Sequence, residues 1–242
     1  MNLSRLTRYL IISLIILVLF TGCDLELSNG KAGRTEALSK SIALGEAKSV
    51  DTKIQIGIGE FSLTGGCDEL FAGEFLYNIP EWKPEVEYTD SSDQGRLSIR
   101  QPDSKKVNMD KSVYRWTLDL NSDLPTNLDV DLGVGTGNLD LRGVNLKGLS
   151  IDCGVGEVLI DLSGNWETGF RGSINSGVGE VTIYLPKDVG VKVNATSGIG
   201  GIKAEGMTKK SGSYYNDAAE ISDILVELDI EGGIGQINLG VK

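Results

Sequence analysis

Four side chains with oxygen donors, Asp131, Asp152, Asn175 and Asn194, recur just ahead of glycine pairs in the second half of the chain. Stacked copies of such a unit would place them in one column. Calcium takes carboxylate and amide oxygens in flexible geometry, so the column is a candidate metal ladder. A solvated row in which the asparagines relieve carboxylate repulsion explains the same residues, and no dedicated calcium-loop spacing accompanies them. A second group, Lys209, Lys210, Tyr214 and Tyr215, gathers basic and aromatic side chains in a polar stretch and is a candidate partner contact. Catalytic chemistry has little to work with. The chain contains no histidine, which removes the commonest general base, the usual triads and most transition-metal sites. Many carboxylates fall on alternating strand positions where solvation accounts for them, and no Gly-Lys-Ser or Gly-Lys-Thr follows a glycine triplet to make a phosphate loop. The expectation is a protein that is not an enzyme and uses no cofactor.

The most specific motif is Phe20-Thr21-Gly22-Cys23. It resembles the lipobox of bacterial lipoproteins, with Phe20 where leucine is commonest. Small residues admit a signal peptidase to the bond before Cys23, whose sulfur would carry a covalent diacylglyceryl group. Arg5 and Arg8 precede an apolar run from Tyr9 to Phe20 broken only by Ser13, a signal-peptide pattern. That run is shorter than the ~20 residues a spanning helix needs. Residues 1–22 therefore read as a signal peptide. Each buried lipid methylene contributes about 0.8 kcal/mol, so two or three acyl chains would hold a domain on a membrane, facing the extracytoplasmic side.

Loss of residues 1–22 removes Arg5 and Arg8 and no acid, moving the formal charge from −11 to −13. Such a balance argues against nucleic acid and anionic lipid as partners. Residues 23–40 are polar, carry glycines and serines without an apolar period, and read as a lipidated cysteine followed by a flexible tether. Beyond Cys23 only Cys67 and Cys153 remain, too few for a disulfide scaffold; two small buried residues are expected, although one bridge is open to them.

From Ser41 onward the chain alternates apolar and polar residues in short runs divided by glycine. Thirty-two glycines against five prolines in 242 residues exceed ordinary usage and lack the collagen triplet. They fall in Gly-Val-Gly or Gly-Ile-Gly triplets beginning at Gly57, Gly133, Gly154, Gly177, Gly198 and Gly233, and from Gly133 the starts are 21, 23, 21 and 35 residues apart. A period of about 20 residues marks a solenoid. Within each copy apolar residues alternate, as in Leu128, Val130 and Leu132, then Leu139 and Leu141, which is the period of a strand. The expected fold is all-β, a β-solenoid-like stack of glycine-cornered coils over residues 124–242. The longer spacing before Gly233 places an insertion at Met207 to Glu220, outside the stack.

Residues 41–123 open with a similar unit at Ile54-Gln55-Ile56-Gly57 but hold Phe71, Phe75, Tyr77, Trp82, Tyr88, Tyr114 and Trp116. An aromatic cap over the open end of the stack explains them; an aromatic groove for glycan or peptide is the alternative. The stretches Leu63-Thr64-Gly65-Gly66, Pro84-Glu85-Val86-Glu87-Tyr88 and Gly95-Arg96-Leu97-Ser98-Ile99, with the Gly-Val-Gly coils, resemble the toast-rack proteins, whose repeats also occur in adhesin-type and cell-wall-antibiotic-response proteins. The resemblance implies a non-enzymatic envelope protein, acting either as a structural or adhesin-like interaction module or as a regulatory component of an envelope-stress response. Its partner would be an envelope component or a membrane signalling protein, in addition to the membrane that its lipid engages.

Overall fold

The computed structural model describes residues 33–91, 93–103 and 112–242. The expected signal peptide, residues 1–22, and Cys23 lie outside these residues. Thirteen strands follow in chain order: β1 (Glu36–Ile42), β2 (Ser49–Cys67), β3 (Phe71–Tyr77), β4 (Glu85–Ser91), β5 (Gln94–Arg100), β6 (Tyr114–Asn121), β7 (Thr126–Asp140), β8 (Leu146–Asp161), β9 (Arg171–Leu185), β10 (Gly190–Glu205), β11 (Thr208–Lys210), β12 (Ser213–Tyr215) and β13 (Leu225–Val241). All join one sheet.

The repeat is one long strand bent at its triplet. In β7, Leu128, Val130 and Leu132 point inward before the corner and Leu139 after it, with Gly137 buried between. The inward phase therefore changes from even to odd positions across Gly133-Val134-Gly135. The second glycine makes that change possible: Gly135 has φ 149°, a region closed to side chains with a Cβ. The first glycine is required for a different reason, because a Cβ on Gly133 would stand 2.3 Å from the carbonyl oxygen of Gly57 in the adjacent coil. Positive φ is thus needed at the second glycine and close backbone approach at the first.

Stacking joins these coils by parallel pairing with triplet on triplet, from β2 to β7, β8 and β9. Each coil then contributes one layer to a continuous core, exemplified by the row Ile54, Val130, Ile151, Ile174 and Ile230, all at most 2% exposed. No single coil could bury its apolar row alone; the stack does so collectively. The order departs from the chain order at the end. β13 inserts between β9 and β10 and pairs in parallel with both, so the last coil in sequence is the penultimate one in space.

The first half closes the other end. β2 is flanked on its outer side by β5 along its first arm and by β6 along its second. At the corner between them Gln101 fills the gap, its Oε1 accepting the amides of Gly57 at 2.8 Å and Ile58 at 3.1 Å. Most of the aromatic cluster is core and makes a cap: Phe71, Phe75, Tyr77, Trp82, Tyr114 and Trp116 are buried. Phe75 packs edge-on to Trp116 at 5.2 Å, and Trp82 to Tyr114 at 5.3 Å. β1 pairs antiparallel with β3 and begins inside the stretch expected to be tether, residues 23–40. Its side chains are mostly exposed because it is an edge strand, so it lacks the apolar alternation that would announce it. Among the described residues every buried core residue falls between Ala47 and Leu239.

Candidate binding surface

The outer face of the corners is the most regular surface of the molecule. Two residues ahead of each first glycine, pairing aligns Gln55, Asp131, Asp152, Asn175, Glu231 and Thr196. Three of the four expected ladder residues are brought together, and Asn194 is not. Counting back from the triplets gives the reason: Asp131, Asp152 and Asn175 stand two residues before their glycines, whereas Asn194 stands four before Gly198. It pairs instead with Asp229, whose Oδ1 accepts its side-chain amide at 2.7 Å. Thr196 holds the column position in β10, and Glu231, from β13, stands between it and Asn175.

Within the column, Gln55 Nε2 donates to Asp131 Oδ2 at 3.0 Å and Asn175 Nδ2 donates to Asp152 Oδ1 at 2.8 Å. Lys53 Nζ lies 3.5 Å from Asp131. The amides thus serve as donors that interrupt a run of carboxylates, the arrangement of a solvated ladder. Among the described residues no group of three or more histidine, cysteine, aspartate or glutamate side chains is placed to hold a metal ion. Beside the column runs a groove of about 580 Å³ lined by Asp131, Gly133, Asp152, Gly154, Asn175 and Gly177.

The structure also places the basic and aromatic group. β11 and β12 form a tight hairpin turned at Ser211 and Gly212, both at positive φ. Lys209 Nζ lies 4.7 Å from the centre of the Tyr214 ring and donates to its hydroxyl at 3.2 Å, and Lys210 is ion-paired with Glu220. That pairing raises the Lys210 pKa and lowers that of Glu220. Tyr214 and Tyr215 are half-buried. The segment does not leave the stack: β12 pairs with the outer edge of β10 at Lys192 and Val193. Asn216, 3% exposed, fastens it by donating to Pro186 O and Val189 O and accepting the Val191 amide.

Both remaining cysteines are free. Cys153 is buried, and burial pushes its thiol pKa up, which keeps it in the unreactive thiol form. Cys67 is half-buried, against the expectation for that residue.

A feature that the sequence displays, but that its chemistry-bearing residues do not flag, is the middle residue of every triplet. Ile58, Val134, Val155, Val178, Ile234 and Ile199 are in register across six coils. Val134, Val155, Val178 and Ile234 are 44 to 52% exposed and Ile199 is 70% exposed. The signal was the invariance of a β-branched aliphatic residue between two glycines.

Residues 31–184 match the model of the toast-rack family described as the N-terminal domain of toast_rack. The chain belongs to the toast-rack family. A crystal structure of a "putative cell adhesion protein" from Clostridium sporogenes is 34% identical, covers 86% of this chain and 100% of its own, and superposes with a TM-score of 0.84. A "putative adhesin" from Bacteroides fragilis is 15% identical over 85% of this chain and 97% of its own, with a TM-score of 0.32, a likeness too loose to carry residue correspondence. No curated protein matches the chain. The toast-rack match spans the cap and the first coils together, as does the sheet. Among the described residues no helix is long and apolar enough to cross a membrane.

Proposed function

We propose that this toast-rack chain is a non-catalytic, adhesin-like interaction module, held on the extracytoplasmic side of a bacterial membrane by lipid on Cys23. The observation that carries the reading is the match, over the whole length of the other chain, to the Clostridium sporogenes structure described as a "putative cell adhesion protein". The lipid anchor rests on the Phe20-Thr21-Gly22-Cys23 motif and the apolar run before it. A non-catalytic role is supported by a chain without histidine and by carboxylates set in hydrogen-bonded rows on strand faces. The stacked coils give a rigid scaffold on which contact surfaces repeat at fixed spacing, which suits binding to an extended or repetitive partner.

The test is capture from detergent-solubilised membranes and from cell-wall material with the tagged chain as bait. Enrichment of wall or surface components is the expected result. Selective recovery of a membrane kinase would overturn it in favour of a regulatory component of an envelope-stress response.

A further inference from the structure

The ridge of triplet residues carries an assignment of its own. The glycines on either side are imposed by the fold, since a Cβ at the first would strike the carbonyl oxygen of the neighbouring coil at 2.3 to 2.7 Å, and one at the second at 1.6 to 1.8 Å, for Gly133, Gly154, Gly177, Gly198 and Gly233 and for Gly135, Gly156, Gly179, Gly200 and Gly235. No such constraint acts on the residue between them, which in these five triplets points to solvent. A polar residue would fit there, yet all six are valine or isoleucine. Because the flanking positions have no side chains, Val134, Val155, Val178, Ile234 and Ile199 stand clear as one aliphatic ridge, and Ile58, partly buried against the core, ends the row. At about 4.8 Å per strand it is about 24 Å long.

Acid borders the ridge on both sides. On one side stand Asp131, Asp152 and Glu231; on the other, two residues beyond each triplet centre, pairing aligns Glu60, Thr136, Glu157, Glu180 and Gln236. Glu60 is neutralised by Arg115 at 2.6 Å, and no ion pair reaches Glu157, Glu180 or Glu231 among the described residues. This charge pattern selects the occupant. A second copy would bring acid against acid, and an anionic bilayer or nucleic acid would be repelled. The complement is an aliphatic stripe flanked by lysine or arginine. Spacing narrows it further: a helix repeats its side chains about every 5.4 Å, close to the ridge, whereas one face of an extended strand repeats every ~6.7 Å. A helix of about 16 residues spans the ridge.

We propose that the ridge from Ile58 to Ile199 is the docking surface for a basic amphipathic helix of a protein partner, its apolar stripe laid along the ridge and its cations over Asp152, Glu157, Glu180 and Glu231. This deepens the adhesion reading above and rests on it.

The test uses the chain from residue 23 with Cys23→Ala and a fluorescent synthetic helix of about 18 residues with a leucine stripe and lysine flanks. Wild type binds it. The variant Val155→Thr/Val178→Thr/Ile234→Thr, unchanged in net charge, binds at least about tenfold more weakly, and a peptide with glutamate for lysine does not bind either protein. Because the acids are intact in the threonine variant, its loss separates the ridge from general attraction to an acidic protein. Thermal melts check that it is folded, and Val155→Thr alone is read if it is not. Equal binding by wild type and folded variant overturns the proposal, as does a ridge-dependent self-association or a ridge-dependent binding to anionic vesicles in place of peptide binding. Envelope capture is measured in parallel. Capture that persists in the threonine variant sinks the ridge and spares the adhesion reading, and peptide binding without any capture by wild type does the reverse.

Discussion

A methyl group on Gly179 would stand 1.7 Å from the carbonyl oxygen of Gly156 in the coil next to it. The methyl would meet backbone, so nothing flexible can yield, and Gly179 also has φ 140°. Gly179→Ala should cost at least about 2 kcal/mol. Gly177→Val, which drives its Cβ toward Gly154 O at 2.4 Å, should behave alike. Thr182→Val, at an outward strand position, should stay within about 0.5 kcal/mol of wild type. Urea unfolding of the three variants checks this, and equal midpoints would refute the coil geometry.

Asn216 ties the hairpin to the stack through three buried hydrogen bonds between 2.7 and 2.9 Å. Asn216→Ala strands the Val191 amide and two carbonyls, at an expected cost of about 1–3 kcal/mol. Replacing Met207 to Glu220 by a glycine-serine linker should therefore destabilise the fold, whereas shortening only the turn at Ser211 and Gly212 should not. Thermal denaturation of the three proteins measures the difference.

Acid stability should depend on Glu227. Hydrogen bonds from Lys192, at 3.3 Å, and Arg171, at 2.9 Å, hold its carboxyl below the usual range. A depressed pKa gives stability that is present above the unfolded value of about 4.3 and is lost as pH falls through the folded value. The melting-temperature gap between wild type and Glu227→Gln should be full at neutral pH and close below about pH 4. A gap that is the same at both ends of the range would contradict the pairing.

The coils were legible in the sequence because each carries its own glycine corner and its own alternation, and the aromatic cap because its residues are too large and too many for strand surfaces. Strand order was not. β13 and β10 present nearly equivalent rows, Leu228 and Ile230 against Val193 and Ala195, so either could lie against β9. The choice is set by the long connection through β11, β12 and Asn216, whose buried contacts leave no periodic trace. Asp131, Asp152 and Asn175 of the column were legible; Gln55 and Glu231 were not read, and at Asn194 spacing counted from the triplet would have placed Thr196.

Replacing Cys23 by alanine should abolish labelling by a radioactive fatty acid and leave the leader uncleaved by the lipoprotein signal peptidase. Undiminished label on Cys23→Ala would remove the anchor from the account without touching the fold.

The most direct measurement of the central claim is sedimentation of the purified chain from residue 23, carrying Cys23→Ala, with isolated cell envelopes. Binding without lipid isolates the protein's own contacts. Saturable binding, displaced by unlabelled chain and leaving the envelope chemically unchanged, is the predicted result; no binding above a lipoprotein of unrelated fold, or turnover of an envelope polymer, would contradict it.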